Sequence, residues 1–159
     1  MTNYTIATQP AFSILGIGTE LKSDYTDFAG LAAEKSAFWD AVQADGRLAE
    51  LQAVAADKDL FFVNEAYQNK MMYYVAVRSD KNLPSADRRI EFPAGEYVLV
   101  AGTGADAYSA AEGVIGAAFG DVLGQLSDVA YVGGPNAAAT VAQADGGYSA
   151  KMYIPVVRN

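Results

Sequence analysis

The final nine residues, KMYIPVVRN at positions 151–159, nearly repeat the segment MMYYVAVRS at positions 71–79. Both segments have an apolar and aromatic body followed by Val-Arg and a polar residue. Such runs are typical of β-strands. Two of them, 80 positions apart in a chain of 159 residues, predict a duplicated α/β unit in which Lys151 corresponds to Met71. The seam between two packed halves is a natural place for a ligand.

The composition is that of an ordinary globular domain. Apolar residues make up 52% of the chain and charged residues 19%, which is sufficient for a hydrophobic core. No apolar run reaches the length of a membrane span, and the N-terminus lacks the pattern of a signal peptide. We therefore expect a cytoplasmic protein that does not contact membranes. The absence of cysteine excludes disulfides and thiolate chemistry.

The charge balance argues against nucleic-acid binding. The net charge is −8, and the eleven lysines and arginines are scattered without forming a basic stripe. An acidic surface raises the local concentration of cationic small molecules, although it also serves plain solubility.

Several catalytic classes are excluded by missing residue types. The chain has no histidine, so it cannot form a Ser-His-Asp triad or an HExxH zinc site. It also lacks the spacing of an EF-hand. The segments GIGT at 16–19 and GTG at 102–104 lack the remaining residues of a dinucleotide fingerprint or a phosphate loop. We expect neither a metal nor a cofactor.

Hydrophobic periodicity predicts the same order of elements in each half, strand-helix-strand-strand. In the first half the expected elements are a strand at 11–21, a helix from Phe28 through Val42 to about Gly46, and strands at 60–63 and 71–78 joined by a turn at 68–70. In the second half they are strands at 88–92 and 96–102, a helix opened by a capping box at 109–112 and running to Leu126, and strands at 129–132 and 151–157. The segment 133–147, rich in Gly, Ala and Asn, is expected to be a mobile hairpin arm.

These elements predict a single α+β domain over residues 1–159, built from pseudo-repeats at about 4–80 and 87–159. The expected architecture is an antiparallel sheet with two helices on one face and a central ligand cleft. The other face of the sheet would be concave and open to a ligand.

Three segments and the second helix carry a resemblance to a known family. The segments are FPAGEYVLV at 92–100, YVGGPN at 131–136 and YIPV at 153–156, and in this order they resemble the GyrI-like (gyrase-inhibitor-like) effector-binding domain. The resemblance covers essentially the whole chain. It implies two strand-helix-strand-strand units with a pocket between them, and recognition of bulky aromatic, often cationic, small molecules. The chain looks like the stand-alone form, without a DNA-binding module.

The C-terminal strand departs from the family pattern. Such domains usually end in Glu-x-aromatic-Ile-Pro-Val, with the glutamate beside the aromatic ring in the pocket, whereas this chain has Lys151, Met152 and Tyr153. Strand alternation places Lys151 and Tyr153 on one face and Met152 and Ile154 on the other. The hydrolytic members of the family rely on that glutamate, so its replacement by an amine argues against both cation recognition at this position and hydrolase activity in this chain.

Three interpretations of Lys151 remain open. Its ammonium group could reach water, since lysine is rarely fully buried. It could form an internal ion pair with Glu65 or Glu96. Alternatively, a partly desolvated amine could attract an anion or form a Schiff base with a carbonyl compound.

The expected ligand site combines the family motif with chemically suitable side chains. Tyr153 is included because of its motif, and Tyr73 because of its repeat position. Glu65 is a polar residue within a strand pattern, Met71 offers adaptable apolar surface, and Trp39 lies on the first helix. Together with Lys151 these are the candidate ligand-binding residues, and no catalytic or metal-binding residue is assigned.

The sequence favours a small-molecule binding module over an enzyme. Aromatic rings and methionines would line the pocket, so selectivity should be broad. One alternative is a hydrolase of reactive electrophiles in which Glu65 or Glu96 replaces the missing glutamate. Another is a protein inhibitor or regulator whose acidic surface and 133–147 arm engage a partner protein.

Overall fold

The computed structural model describes residues 4–159, which form a curled antiparallel sheet of nine strands with helices on one face. The strands are β1 (Tyr4–Gln9), β2 (Phe12–Glu20), β3 (Leu60–Tyr67), β4 (Lys70–Val77), β5 (Arg88–Phe92), β6 (Gly95–Gly104), β7 (Val129–Tyr131), β8 (Asn136–Ala142) and β9 (Tyr148–Arg158). The helices are α1 (Phe28–Ala44), α2 (Arg47–Ala53), α3 (Ala107–Ala117), a π-helical turn (Ala118–Val122) and α4 (Leu123–Gln125). The predicted α+β class is confirmed.

The strand order is symmetric about the pair formed by β8 and β3. The order across the sheet is β1-β6-β9-β8-β3-β4-β2-β5, and β7 pairs with the end of β9. The edge strand β1 pairs with β6 of the second half, and the edge strand β5 pairs with β2 of the first half. Each half therefore contributes the outer strand of the other half, which ties the two together at both edges.

The helices cover one face of the sheet and form the main core with it. Phe38 and Val42 of α1 and Val114 of α3 belong to one buried cluster that also contains Val75 and Ile154 of the sheet. Burial of these apolar side chains is the main stabilising contribution on this face. None of the helices within residues 4–159 has both the length and the hydropathy needed to cross a bilayer.

The opposite face is largely filled by its own aromatic cluster. Phe61, Tyr74, Phe92 and Tyr97 are fully buried there, and Phe12 stacks on Phe92 with ring centroids 4.6 Å apart. The expected open concave face is thus occupied over much of its length. A recess remains at one end of this face, where β6, β8 and β9 meet.

Two glycines allow large groups to approach the strands closely. A Cβ at Gly18 would lie 2.4 Å from the Tyr74 ring, and a Cβ at Gly104 would lie 2.6 Å from the backbone nitrogen of Ala110 in α3. Neither contact tolerates a side chain, because real Cβ atoms do not approach so closely. Gly18 lies within β2 and makes room for Tyr74.

Two local predictions about the second half were wrong. The segment 133–147 is not a mobile arm, because it contains β8, a central strand that pairs with both β3 and β9. Its residues 137–139 are all alanine and all buried. Small residues, which are typical of loops, here allow β8 to pack closely within the sheet. Helix α3 begins at Ala107 rather than at the proposed capping box, since the Asp106 carboxylate caps it by accepting from Ser109 N at 2.8 Å.

The sequence match at an offset of 80 pairs residues from opposite faces of the sheet. Tyr73 belongs to the helix-side cluster, whereas Tyr153 packs against the aromatic cluster on the other face. Met71 pairs with Ala66 across the β3–β4 hairpin and lines a cavity on the helix side of the sheet. Lys151 pairs with Ala139, which belongs to the aromatic cluster on the opposite face. Side chains alternate along a strand, so this match is displaced by an odd number of residues. The predicted equivalence of Lys151 with Met71 was wrong.

Candidate functional site

A cavity of about 760 Å³ lies on the helix side of the sheet, between the two halves of the chain. One wall runs from the end of β2 through the loop and first turns of α1, residues 21–35. The β3–β4 hairpin forms the floor, from Asn64 to Met71. Ile115, Phe119 and residues 131–136 of the second half complete it.

The mouth of the cavity is unusually rich in exposed aromatic surface. Tyr25 is 75% exposed and Phe28 78%, while Met71 and Phe119 are 43% and 42% exposed. All four line the cavity. Large apolar side chains gathered at one opening on a protein surface are typical of an interaction site.

Local hydrogen bonds hold the loop that carries Tyr25. The Glu34 carboxylate accepts from Lys22 N at 2.8 Å and from Ser23 N at 3.0 Å. The hydrogen bond from Lys22 N, followed by those from Ser23, lowers the pKa of Glu34. The Asp24 carboxylate accepts from Thr26, which lowers the pKa of Asp24. Both carboxylates are therefore ionised at neutral pH, and that of Asp24 faces water at the mouth.

The π-helical turn places Phe119 beside the cavity. Such turns are frequent at functional sites because they shift side chains relative to the α-helix on either side. Ala118 and Val122 are buried, whereas Phe119 contacts Tyr131 edge-on with ring centroids 5.8 Å apart. The Tyr131 hydroxyl donates to Gly134 O and accepts from the Asn136 amide at 3.0 Å. This side of the cavity therefore presents the aromatic rings of Phe119 and Tyr131 and the side-chain amide of Asn136.

A lysine lies at the inner end of the cavity. Lys35 Nζ is 5.1 Å from the centroid of the Tyr73 ring and 3.5 Å from Glu112 Oε1. Only 13% of the Lys35 side chain is exposed. Burial, and to a lesser extent the charge of Glu112, raises the pKa of Tyr73 well above its ordinary value. The buried Tyr73 hydroxyl has no hydrogen-bond partner among residues 4–159.

Among the candidate residues, Glu65 and Met71 border this cavity, but the Glu65 carboxylate is already bound elsewhere. It accepts from Arg88 Nε and Nη2, each at 2.8 Å, and from the Tyr74 hydroxyl at 3.1 Å. Tyr74 belongs to the aromatic cluster on the opposite face, so the carboxylate lies on that side of the sheet. Arg88 in turn stacks over Tyr67, with 3.6 Å between the guanidinium carbon and the ring centroid.

Lys151 and Tyr153 line a different recess, of about 620 Å³, where β6, β8 and β9 meet. The predicted alternation is confirmed there, since Met152 and Ile154 are buried in the helix-side core. The proposed ion pair of Lys151 with Glu65 or Glu96 is wrong, because Glu65 pairs with Arg88 and Glu96 with Arg158. The Lys151 side chain is exposed.

The two remaining candidates lie outside both of these sites. Trp39 packs edge-on against Phe62, with ring centroids 5.1 Å apart, and borders a smaller recess of about 360 Å³. Tyr73 is fully buried beneath Lys35. The structure therefore brings together Glu65 with Met71 and Lys151 with Tyr153, but not all six.

Sequence analysis did not identify Lys35, Phe119 or Tyr131 as site residues. Phe119 was assigned to the apolar face of its helix, and Tyr131 to a strand. The sequence did contain a signal for Lys35. This lysine lies four residues after Leu31 and four before Trp39, so it shares the apolar face of α1 with them.

Comparison with known proteins decides the family. The family model named Cass2, described as integron-associated effector binding protein, matches residues 5–156. The chain belongs to the Cass2 family. The resemblance to GyrI-like effector-binding domains is confirmed as well. No curated protein sequence matches the chain.

Solved structures share the fold of this Cass2-family chain. SAV2435 bound to tetraphenylphosphonium is 15% identical, with a TM-score of 0.78 over 98% of this chain and 94% of that one. A putative transcription regulation protein from Staphylococcus aureus MU50 is 16% identical, with a TM-score of 0.72 over 98% and 99%. The integron cassette protein VCH_CASS2 from the mobile metagenome of Vibrio cholerae is 12% identical, with a TM-score of 0.63 over 97% and 95%.

Proposed function

We propose that the protein binds bulky aromatic small molecules in the cavity between α1 and α3. The observation that carries this proposal is the clustering of exposed apolar surface. Of six large hydrophobic side chains that are exposed within residues 4–159, four line this one cavity. They are Tyr25, Phe28, Met71 and Phe119.

The size and chemistry of the cavity suit a ligand of drug-like dimensions. Its volume of about 760 Å³ lies within the usual range of small-molecule sites. Aromatic rings offer stacking surface, and Met71 offers adaptable contacts. The tetraphenylphosphonium bound by SAV2435 is a ligand of this kind. Because the surface of the cavity is mainly apolar, we expect broad selectivity.

Hydrolysis by the carboxylates considered earlier has less support. The Glu65 carboxylate is bound on both oxygens by Arg88, and the Glu96 carboxylate by Arg158 at 3.0 and 2.9 Å. A general base must be able to accept a proton from water within hydrogen-bond distance. Ion pairs with arginine oppose such protonation, and the pKa of Glu96 is lowered by Arg158.

A binding assay with matched variants tests the proposal. A panel of bulky aromatic dyes should raise the melting temperature and show saturable changes in dye fluorescence. Phe119→Ser removes one ring from the cavity, and we expect it to weaken dye binding about tenfold. Val157→Ser is the control, because Val157 is 54% exposed but lies away from the cavity. Absence of binding across the panel, or equal weakening by both variants, would contradict the proposal.

A further inference from the structure

Lys35 lines the cavity, and its ammonium group fills a cation position next to it. An aromatic face and a carboxylate are the groups that recognise an organic cation. Here Tyr73 supplies the face, 5.1 Å from Lys35 Nζ, and Glu112 supplies the carboxylate, 3.5 Å from it. Because the protein's own ammonium group fills this position, a second cation can take it only by displacing Lys35.

Of the two members of this ion pair, Lys35 lines the cavity and Glu112 does not. The Lys35 ammonium has three N–H groups, and its separation from Glu112 is long for a hydrogen bond. It can therefore donate to an acceptor on a ligand without leaving Glu112.

The other charges near the site act more weakly on a bound ligand. Asp24 lies at the solvent-exposed mouth, where water and the hydrogen bonds from Thr26 surround its carboxylate. The net charge of −8 is spread over the surface and is screened within about 8 Å at physiological salt. Lys35, with 13% of its side chain exposed, is screened much less.

We infer that Lys35 sets the charge preference of the cavity. Because Lys35 lines the cavity and its ammonium group fills the position between Tyr73 and Glu112, the cavity favours neutral or anionic aromatic molecules over cations of the same shape. This inference rests on the proposed function, because it specifies the class of ligand that the same cavity accepts.

Two ions of nearly identical shape and opposite charge provide the test. Dissociation constants of tetraphenylborate and tetraphenylphosphonium are measured by isothermal titration for the full chain at physiological salt. We expect the native protein to prefer the borate. Lys35→Met should shift the ratio of the two constants about tenfold towards the phosphonium, because it removes the ammonium and uncovers Glu112. Lys35→Arg retains the charge and should retain the native ranking.

A second lysine provides the control for net charge. Lys151→Met changes the net charge by the same amount, but Lys151 lines the other recess, so the ratio should not change. An unchanged ratio in Lys35→Met, with both ions still binding, would overturn the inference and leave the proposed function standing. A shift in Lys151→Met alone would overturn it too. Failure of both ions to bind every variant would instead reject the proposed function, and this inference with it.

Discussion

At the scale of single residues, Glu65 shows how a polar residue within a strand can be structural. Its side chain is 6% exposed, and Arg88 and Tyr74 together satisfy both carboxylate oxygens. Sequence alone could identify the intrusion of a charge into β3, but not its partner, because Arg88 lies 23 positions away on β5. The two residues meet only through the pairing of β2 with β4 and β5.

Removal of the guanidinium group at position 88 should destabilise the fold. Arg88→Met leaves the Glu65 carboxylate buried without its cation, and we expect the free energy of unfolding to fall by about 2–3 kcal/mol. Urea denaturation measures the loss. Arg158→Met is the control, because Arg158 and its partners Glu96 and Asp128 lie at the surface, and we expect a much smaller loss than for Arg88→Met. Equal losses in the two variants would contradict a structural role for the Glu65–Arg88 pair.

At the scale of elements, most strands and the two main helices were predictable, whereas β1, α2 and β8 were not. The pattern of apolar residues predicted two strands and one helix that the structure contains. They are the strands at 71–78 and 151–157 and the helix from Phe28, which correspond to β4, β9 and α1. Strand β1 and helix α2 were not predicted, since their polar and alanine-rich sequences carry no clear period. Strand β8 was missed because small buried residues resemble a loop in composition.

Helix α3 packs closely against β6 at Gly104, and substitutions at two glycines can test how much this packing contributes to stability. Gly104→Ala places a Cβ 2.6 Å from the backbone nitrogen of Ala110, so we expect a loss of about 1–3 kcal/mol in the free energy of unfolding. Gly113 lies within α3, and a Cβ added there would meet no neighbouring group within 4 Å. For Gly113→Ala we therefore expect a gain of about 0.5–1 kcal/mol in the free energy of unfolding. Thermal and urea unfolding of both variants would check the pair. A neutral Gly104→Ala would contradict the tight packing of α3 against β6.

At the scale of the whole molecule, the resemblance predicted the fold better than it predicted the site. The family and the α+β class follow from ordered motifs, whereas the division into pseudo-repeats at 4–80 and 87–159 stays a prediction. The six candidate site residues do not form one site, because the prediction required the correct face of each strand. A match displaced by an odd number of residues assigned Tyr73 and Tyr153 to one face, although the sheet separates them.

The two faces of the sheet offer two distinct places for a ligand. The helix-side cavity has exposed aromatic residues at its mouth, whereas the recess around Lys151 has a floor of small side chains such as Ala101 and Ala139. Stacking energy is available mainly in the first. We therefore propose that the ligand binds in the helix-side cavity, away from Lys151 at the position of the family's glutamate.

A crystal structure of the protein with a saturating aromatic dye, chosen by its affinity in solution, tests this assignment most directly. The account predicts density for the dye between α1 and α3, in contact with Phe28, Met71 and Phe119. Density in the recess beside Lys151 and Tyr153, with the helix-side cavity unchanged, would contradict it.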